Sequence, residues 1–187
     1  MANKTTITVI RSSRRSLSLE IRPDLSVIVR APYRASRREI EQFVADKEDW
    51  LTRHLSKMAA AEAQRAQIPK LSKAQLEALA DKALQDIPPR AAYFADRIGV
   101  RYGRITIRHQ HTRWGSCSAR GNLNFNCLIM LMPQEIIDYV IVHELCHLIE
   151  MNHSPAFWAR VAAVLPDYQT RVRWLKTHGS EIMARNP

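Results

Sequence analysis

Apolar and polar side chains alternate through residues 5–31. Ile7 and Val9 begin the pattern. Leu17, Leu19 and Ile21 continue it against Ser16, Ser18, Glu20 and Arg22 on the opposite face, and Leu25, Val27 and Val29 repeat it beyond the turn residues Pro23 and Asp24. A period of two with one apolar face predicts strands, here a three-stranded antiparallel meander ended by Pro32. The period then changes. Ser36 and Glu39 form a capping box, followed at helical spacing by Ile40, Phe43, Val44, Trp50, Leu51 and Leu55. This helix can run on through the Ala-rich 59–63 before Gln67-Ile68-Pro69 breaks it. A second capping box, Ser72 and Gln75, opens a helix to about residue 86, which Pro88-Pro89 is expected to interrupt or restart. Ala91, Ala92, Phe94 and Ile98 follow, with Gly99 as the stop.

Alternation returns at 104–109, and 122–130 is a second strand candidate, with Ser118–Gly121 as the turn between them. Pro133 sits at a helix start and apolar residues run from Ile136 to Ile149. Ser154-Pro155 and Pro166-Asp167 open two more helices, the last expected to stop at Gly179. A β-meander, helices, a β-hairpin and more helices make the fold class α+β. The 187 residues suit a single domain. It divides into an N-terminal part, 1–99, of meander and helices, and a remaining part, 100–187, around the 136–149 helix.

Charge narrows the picture less than it colours it. Lys and Arg number 28 against 18 Asp and Glu, giving +10. Residues 1–38 hold nine basic residues and two acids, and the stretch between Asp96 and Glu135 has six arginines and no acid. Such a field draws polyanions without specifying one, so non-specific nucleic-acid binding is an expected partner class. No apolar run nears the roughly 18 residues of a membrane span, so no membrane partner is expected. The N-terminus has no apolar core of a secretion signal, and three cysteines cannot complete a disulfide set, so a cytoplasmic home is expected.

The chemistry concentrates at 143–147, His-Glu-Leu-Cys-His. On a helix His143 and His147 lie one turn apart, about 40° around the axis, so both imidazoles reach one ion. Glu144 sits on the flank of that ion, about 60° from His147, too far round to ligate well. There it can accept the proton of a water held by the metal, the division of labour a metal-assisted hydrolase needs. A catalytic zinc wants a third ligand. His153, six residues after His147, reproduces the 4-then-6 spacing of a known zinc motif, although Glu150 stands where that motif has glycine. Glu150 is itself a rival ligand on nearly the same stripe as both histidines. Cys146, with Cys117 and Cys127, would suit a structural zinc site less well than three ordinary buried thiols. Trp114-Gly115-Ser116 follows a strand, and its small residues would let a peptide add as an extra strand at a sheet edge. Tyr139, one turn before His143, is either core or an oxyanion partner.

The set Arg113-Trp-Gly-Ser-Cys117, Asn122-Leu-Asn124, Asp138 to His147, Asn152-His-Ser154 and Phe157-Trp158 resembles the YgjP-like zinc metallopeptidase family, related to the SprT-like proteases. Val29-Arg30-Ala31-Pro32, Lys47 and Trp50 extend the resemblance into the N-terminal half. It implies a zincin-like core, one zinc per chain held by His143, His147 and His153, and Glu144 as general base in hydrolysis of a protein or peptide. The opposite expectation, a non-catalytic zinc-stabilised module that binds nucleic acid, or a protease acting on nucleic-acid-bound proteins, would also use the basic surface.

Overall fold

The computed structural model describes residues 7–187. Residues 1–6, which include Lys4, the start of the stretch read for a secretion signal and the first two residues of the alternation, lie outside the described residues. The chain divides into two compact units, Met1–Gln67 and Ile68–Pro187.

In the first unit the strands are β1 (Ile7–Ser12), β2 (Ser18–Ile21) and β3 (Val27–Pro32), followed by helices α1 (Arg37–Ala45) and α2 (Glu48–Ala66). The strands do not form the expected antiparallel meander. Their order is β1-β3-β2, with β1 parallel and β2 antiparallel to β3. The reason lies in β3, whose Val27, Ile28, Val29 and Ala31 are all buried. The strand that is apolar on both faces takes the centre, and the alternating strands take the edges. Asp24 Oδ1 closes the β2–β3 turn by accepting from the Ser26 amide at 3.0 Å and its hydroxyl at 2.6 Å. The Ser36–Glu39 capping box forms as expected, and Ile40, Phe43 and Val44 of α1 cover Val29 and Ala31.

The second unit holds α3 (Lys73–Ile98), β4 (Ile105–Arg108), β5 (Gly115–Cys117), β6 (Leu123–Asn126), a 3-10 turn (Cys127–Leu131), α4 (Gln134–Cys146), α5 (Pro155–Val164) and α6 (Tyr168–Ala184). The α+β class therefore stands. α3 packs on α4 and the 3-10 turn, which places it in this unit. Pro88 and Pro89 do not interrupt it. They deprive the Leu84 and Gln85 carbonyls of helix partners, but both residues are exposed to water, while Ala83, Ile87, Ala91, Phe94 and Ala95 bury the other face. Tertiary burial outweighs the local penalty.

The second sheet also differs from the expected hairpin of 104–109 with 122–130. An intervening strand, β5, forms the hairpin with β6, while β4 pairs parallel to β6, giving the order β4-β6-β5. The expected turn at Ser118–Gly121 is present, but it joins β5 to β6. Gly179 does not end α6. It is buried mid-helix, and a Cβ there would meet the Trp114 indole at 3.3 Å. At the centre runs α4. Ile136, Ile137, Tyr139, Val140, Ile141, Val142, Glu144, Leu145 and Cys146 are all buried, which is why its sequence is apolar all round.

Candidate active site

α4 ends at Cys146, with His147 as its C-cap. That places His143 in the last turn and His147 at the point where the chain leaves the helix. His147 Nδ1 lies 2.9 Å from the Glu150 carbonyl. A carbonyl can only accept, so this nitrogen donates, and the lone pair of the neutral ring belongs to Nε2. Nε2 of His147 lies 3.2 Å from Nε2 of His143, and Nε2 of His153 lies 3.0 Å from the same atom. The ligand atoms of all three rings fall within 4.8 Å of one another. Glu150, the rival ligand, is directed elsewhere: its carboxylate lies 3.9 Å from the Arg160 guanidinium. Among the described residues no other His, Cys, Asp or Glu trio converges in this way, and Cys117, Cys127 and Cys146 are free thiols.

Aromatic rings fix the imidazoles. Ser154 caps α5 through the Phe157 amide at 3.3 Å, which swings the first turn of α5 back over the site. Phe157, fully buried, stacks on His147 at 4.5 Å between centroids and meets His143 edge-on at 4.9 Å. Trp158 stacks on His153 at 5.7 Å. The Tyr139 hydroxyl lies 3.4 Å from His143 Nδ1, on the ring edge opposite the other two histidines. Tyr139 is thus both buried and a neighbour of the site; burial, with Glu144 and Tyr168 nearby, pushes its phenol up to about 12. Burial, then the adjacent His147 and His153, pushes His143 down to about 3, so the ring stays neutral. Burial also lowers His147.

Glu144 is 6% exposed, and burial lifts its carboxyl to about 8, opposed by the Cys117 backbone amide and the Arg113 charge. Strand β5 passes directly over it. A Cβ on Gly115 would lie 2.7 Å from Glu144 Cγ and 2.8 Å from Oε1. No side chain fits between this strand and the carboxylate. β5 is an edge strand, paired among the described strands only with β6. The Trp114 carbonyl and the Ser118 amide face β6, bonding Asn126 N at 2.8 Å and Asn122 O at 2.9 Å. By the alternation of an antiparallel pair, the backbone groups of Gly115 and Cys117 face the unpaired side. Of the segment expected to bind a peptide, Trp114 is packed against Gly179, Ser116 Oγ lies 3.2 Å from Asn124 Nδ2, and Gly115 presents the free edge. Asp138 faces away from the site, pairing with Arg90 at 3.1 Å.

The sequence reading missed how Phe157 and Trp158 hold the imidazoles, and although it singled out Gly115 for its small size it did not place the Glu144 carboxylate against it. Ser154-Pro155 directly after His153 was the available signal for the first two, because an N-cap there puts residues 157 and 158 one turn beyond the third histidine.

Three lone pairs aimed at one point repel one another unless a cation lies among them. Zinc holds imidazole nitrogens at about 2.0–2.1 Å in a tetrahedron, which spaces neighbouring nitrogens about 3.3 Å apart. The spacings of 3.2 and 3.0 Å fit that requirement.

A family model described as the YgjP-like metallopeptidase domain matches residues 15–75 and 63–178. Comparison with curated proteins gives no match. At least two solved structures align with the chain. One is the metallopeptidase zymogen abylysin of Pyrococcus abyssi, at 22% identity and TM-score 0.45, covering 54% of this chain and 97% of that one. The other is the metallopeptidase zymogen jannalysin of Methanocaldococcus jannaschii, at 20% identity and TM-score 0.44, covering 51% and 96%.

Proposed function

This chain belongs to the YgjP-like metallopeptidase family, and from that premise we propose that it is a zinc-dependent peptidase in which His143, His147 and His153 hold one metal ion and Glu144 is the general base. The observation that carries the reading is the meeting of three imidazole nitrogens, with the buried Glu144 next to His143 in the last turn of α4. Zinc at such a site acts as a Lewis acid, making a water acidic enough to deprotonate near neutral pH and polarising a carbonyl. The residues of the chain supply the rest. Glu144 takes the proton of the attacking water and returns it to the departing amine, so the base becomes the acid of the second step. Burial alone favours its protonated form, and the charge of a zinc ion held by the three histidines would favour the carboxylate that the first step needs. The substrate polypeptide lies along the unpaired edge of β5, bonding the backbone of Gly115 and the carbonyl of Cys117, whose amide is taken by Glu144, and this brings a peptide carbonyl over Glu144. Trp114 holds that strand in place through its packing on α6. Three free cysteines agree with a reducing, cytoplasmic setting.

The test is Glu144→Gln. It keeps shape and removes the base, so zinc content should stay near one per chain while casein hydrolysis falls by roughly 10²-fold or more. Equal cleavage by the variant and the wild type would refute the assignment of the base. A zinc centre that merely staples the fold would show full zinc and no hydrolysis in either protein.

A further inference from the structure

Apart from the zinc site, the first unit carries a cavity of about 310 Å³ lined by Ser12, Ser13, Arg14, Arg15, Pro32, Tyr33 and Arg34. It lies where parallel β1 and β3 end side by side, Ser12 opposite Pro32. The walls are fixed. The Tyr33 amide donates to the Ser12 carbonyl at 3.2 Å, and Arg11 Nη1 donates to the carbonyls of Pro32, Tyr33 and Ala35 at 3.2, 3.0 and 2.6 Å. Three arginines thus line one preformed hollow. Among the described residues none of Arg14, Arg15 and Arg34 has a carboxylate within 4.0 Å. Glu39, the acid that feels Arg34, already accepts from the Ser36 amide at 2.6 Å.

Planar guanidinium forks match phosphate oxygens two at a time, and serine hydroxyls add further donors. At the rim stands Tyr33, 70% exposed. A bare ring beside a basic hollow is the pairing used to stack a base while holding its backbone. No exposed aliphatic side chain lines the cavity, as insertion into a lipid surface would require. We propose that this cavity binds single-stranded nucleic acid, with a phosphate held by Arg14, Arg15 and Arg34 and the adjoining base stacked on Tyr33. The proposal locates the polyanion contact in three arginines. It leaves out Arg37, whose Nε is bonded to Glu41 at 2.7 Å.

The experiment is fluorescence anisotropy of the full chain with a labelled oligothymidylate of about 15 nucleotides, a length that spans a typical single-strand footprint, at about 50 mM salt and upward. Binding should be saturable. Tyr33→Ala should weaken it about five-fold or more, and Tyr33→Phe, which keeps the ring face, should not. Arg15→Gln with Arg34→Gln should lower the slope of log affinity against log salt by about one. Tyr33, Arg15 and Arg34 are exposed, and unchanged melting temperatures will show that these variants fold. Polyglutamate and vesicles of anionic phospholipid should compete poorly with unlabelled oligonucleotide. Absence of binding at about 50 mM salt overturns the proposal. So does an unaltered affinity in Tyr33→Ala, or displacement by polyglutamate or vesicles as effective as by the oligonucleotide.

Discussion

Gly115→Ala puts a single methyl group where the strand crosses the carboxylate. Its Cβ would sit 2.7 Å from Glu144 Cγ, 2.8 Å from Oε1 and 3.0 Å from Cδ. Carbon atoms in contact keep about 3.5–4.0 Å, so one side must retreat by about 0.8 Å. The backbone of Glu144 cannot retreat, because its helix is anchored by Val140, Ile141 and Leu145 at 3%, 0% and 0% exposure. Either β5 lifts away or the carboxylate turns out of place. A misplacement of about 1 Å at a catalytic group costs on the order of 10²-fold. We expect kcat on casein to fall by roughly 10- to 100-fold. Overpacking should cost about 1–3 kcal/mol, a drop in melting temperature of about 2–12 °C for a chain of this size. Metal content should hold, because no imidazole is touched. Gly99→Ala separates stability from activity. Gly99 caps α3 at φ 76°, and a methyl group there would have nothing within 4 Å, so that variant should lose about 1–2 kcal/mol and keep full kcat. The assay is steady-state hydrolysis with metal analysis and thermal melting of both variants. A Gly115→Ala protein with kcat within about two-fold of wild type would refute the claim that β5 sets the position of Glu144.

Three further outcomes follow from the site. His153→Ala should lower zinc content sharply, because two of three ligands remain; unchanged content by metal analysis would move the third ligand elsewhere. Tyr139→Phe keeps the buried ring and removes the oxygen 3.4 Å from His143 Nδ1. Zinc affinity in a competition titration should fall up to about 10–100-fold with little change in the melting of the metal-free protein. Phe157→Ala removes a ring with no exposed surface and should cost about 3–5 kcal/mol, read as a melting temperature lower by about 6–20 °C.

The parts of this molecule that could be read along the chain are those set by local spacing. His143 and His147 share a helix face because four residues make about one turn. Both capping boxes are local hydrogen bonds, and both form. What could not be read is which elements become neighbours. Alternation in 16–22 marks one face of a strand as apolar but does not name its partner, so the central place of β3 had to come from its continuous apolar run. Pro88-Pro89 shows a local rule losing to packing, since five buried residues on one face hold α3 together through the break. Gly115 and Gly179 are small for the same non-local reason. Each faces a side chain from another element, Glu144 in one case and Trp114 in the other, and neither partner is close in sequence.

The distribution of polar groups around α4 bears on whether the metal centre works or only braces. A bracing zinc closes its fourth position with protein, usually a thiolate or imidazole. Cys146 is nearest in sequence, yet it is fully buried, and burial raises its thiol to about 11, away from the thiolate form a ligand needs. Glu150 is drawn toward Arg160. Glu144 is turned to β5, where the Cys117 amide and the Arg113 charge act on it and Gly115 leaves it room. Keeping a carboxyl in that buried position costs stability that a hydrophobic residue would not. A staple has no use for such an arrangement. The arrangement suits the base proposed above, which would stand beside the metal under the strand that would carry the peptide.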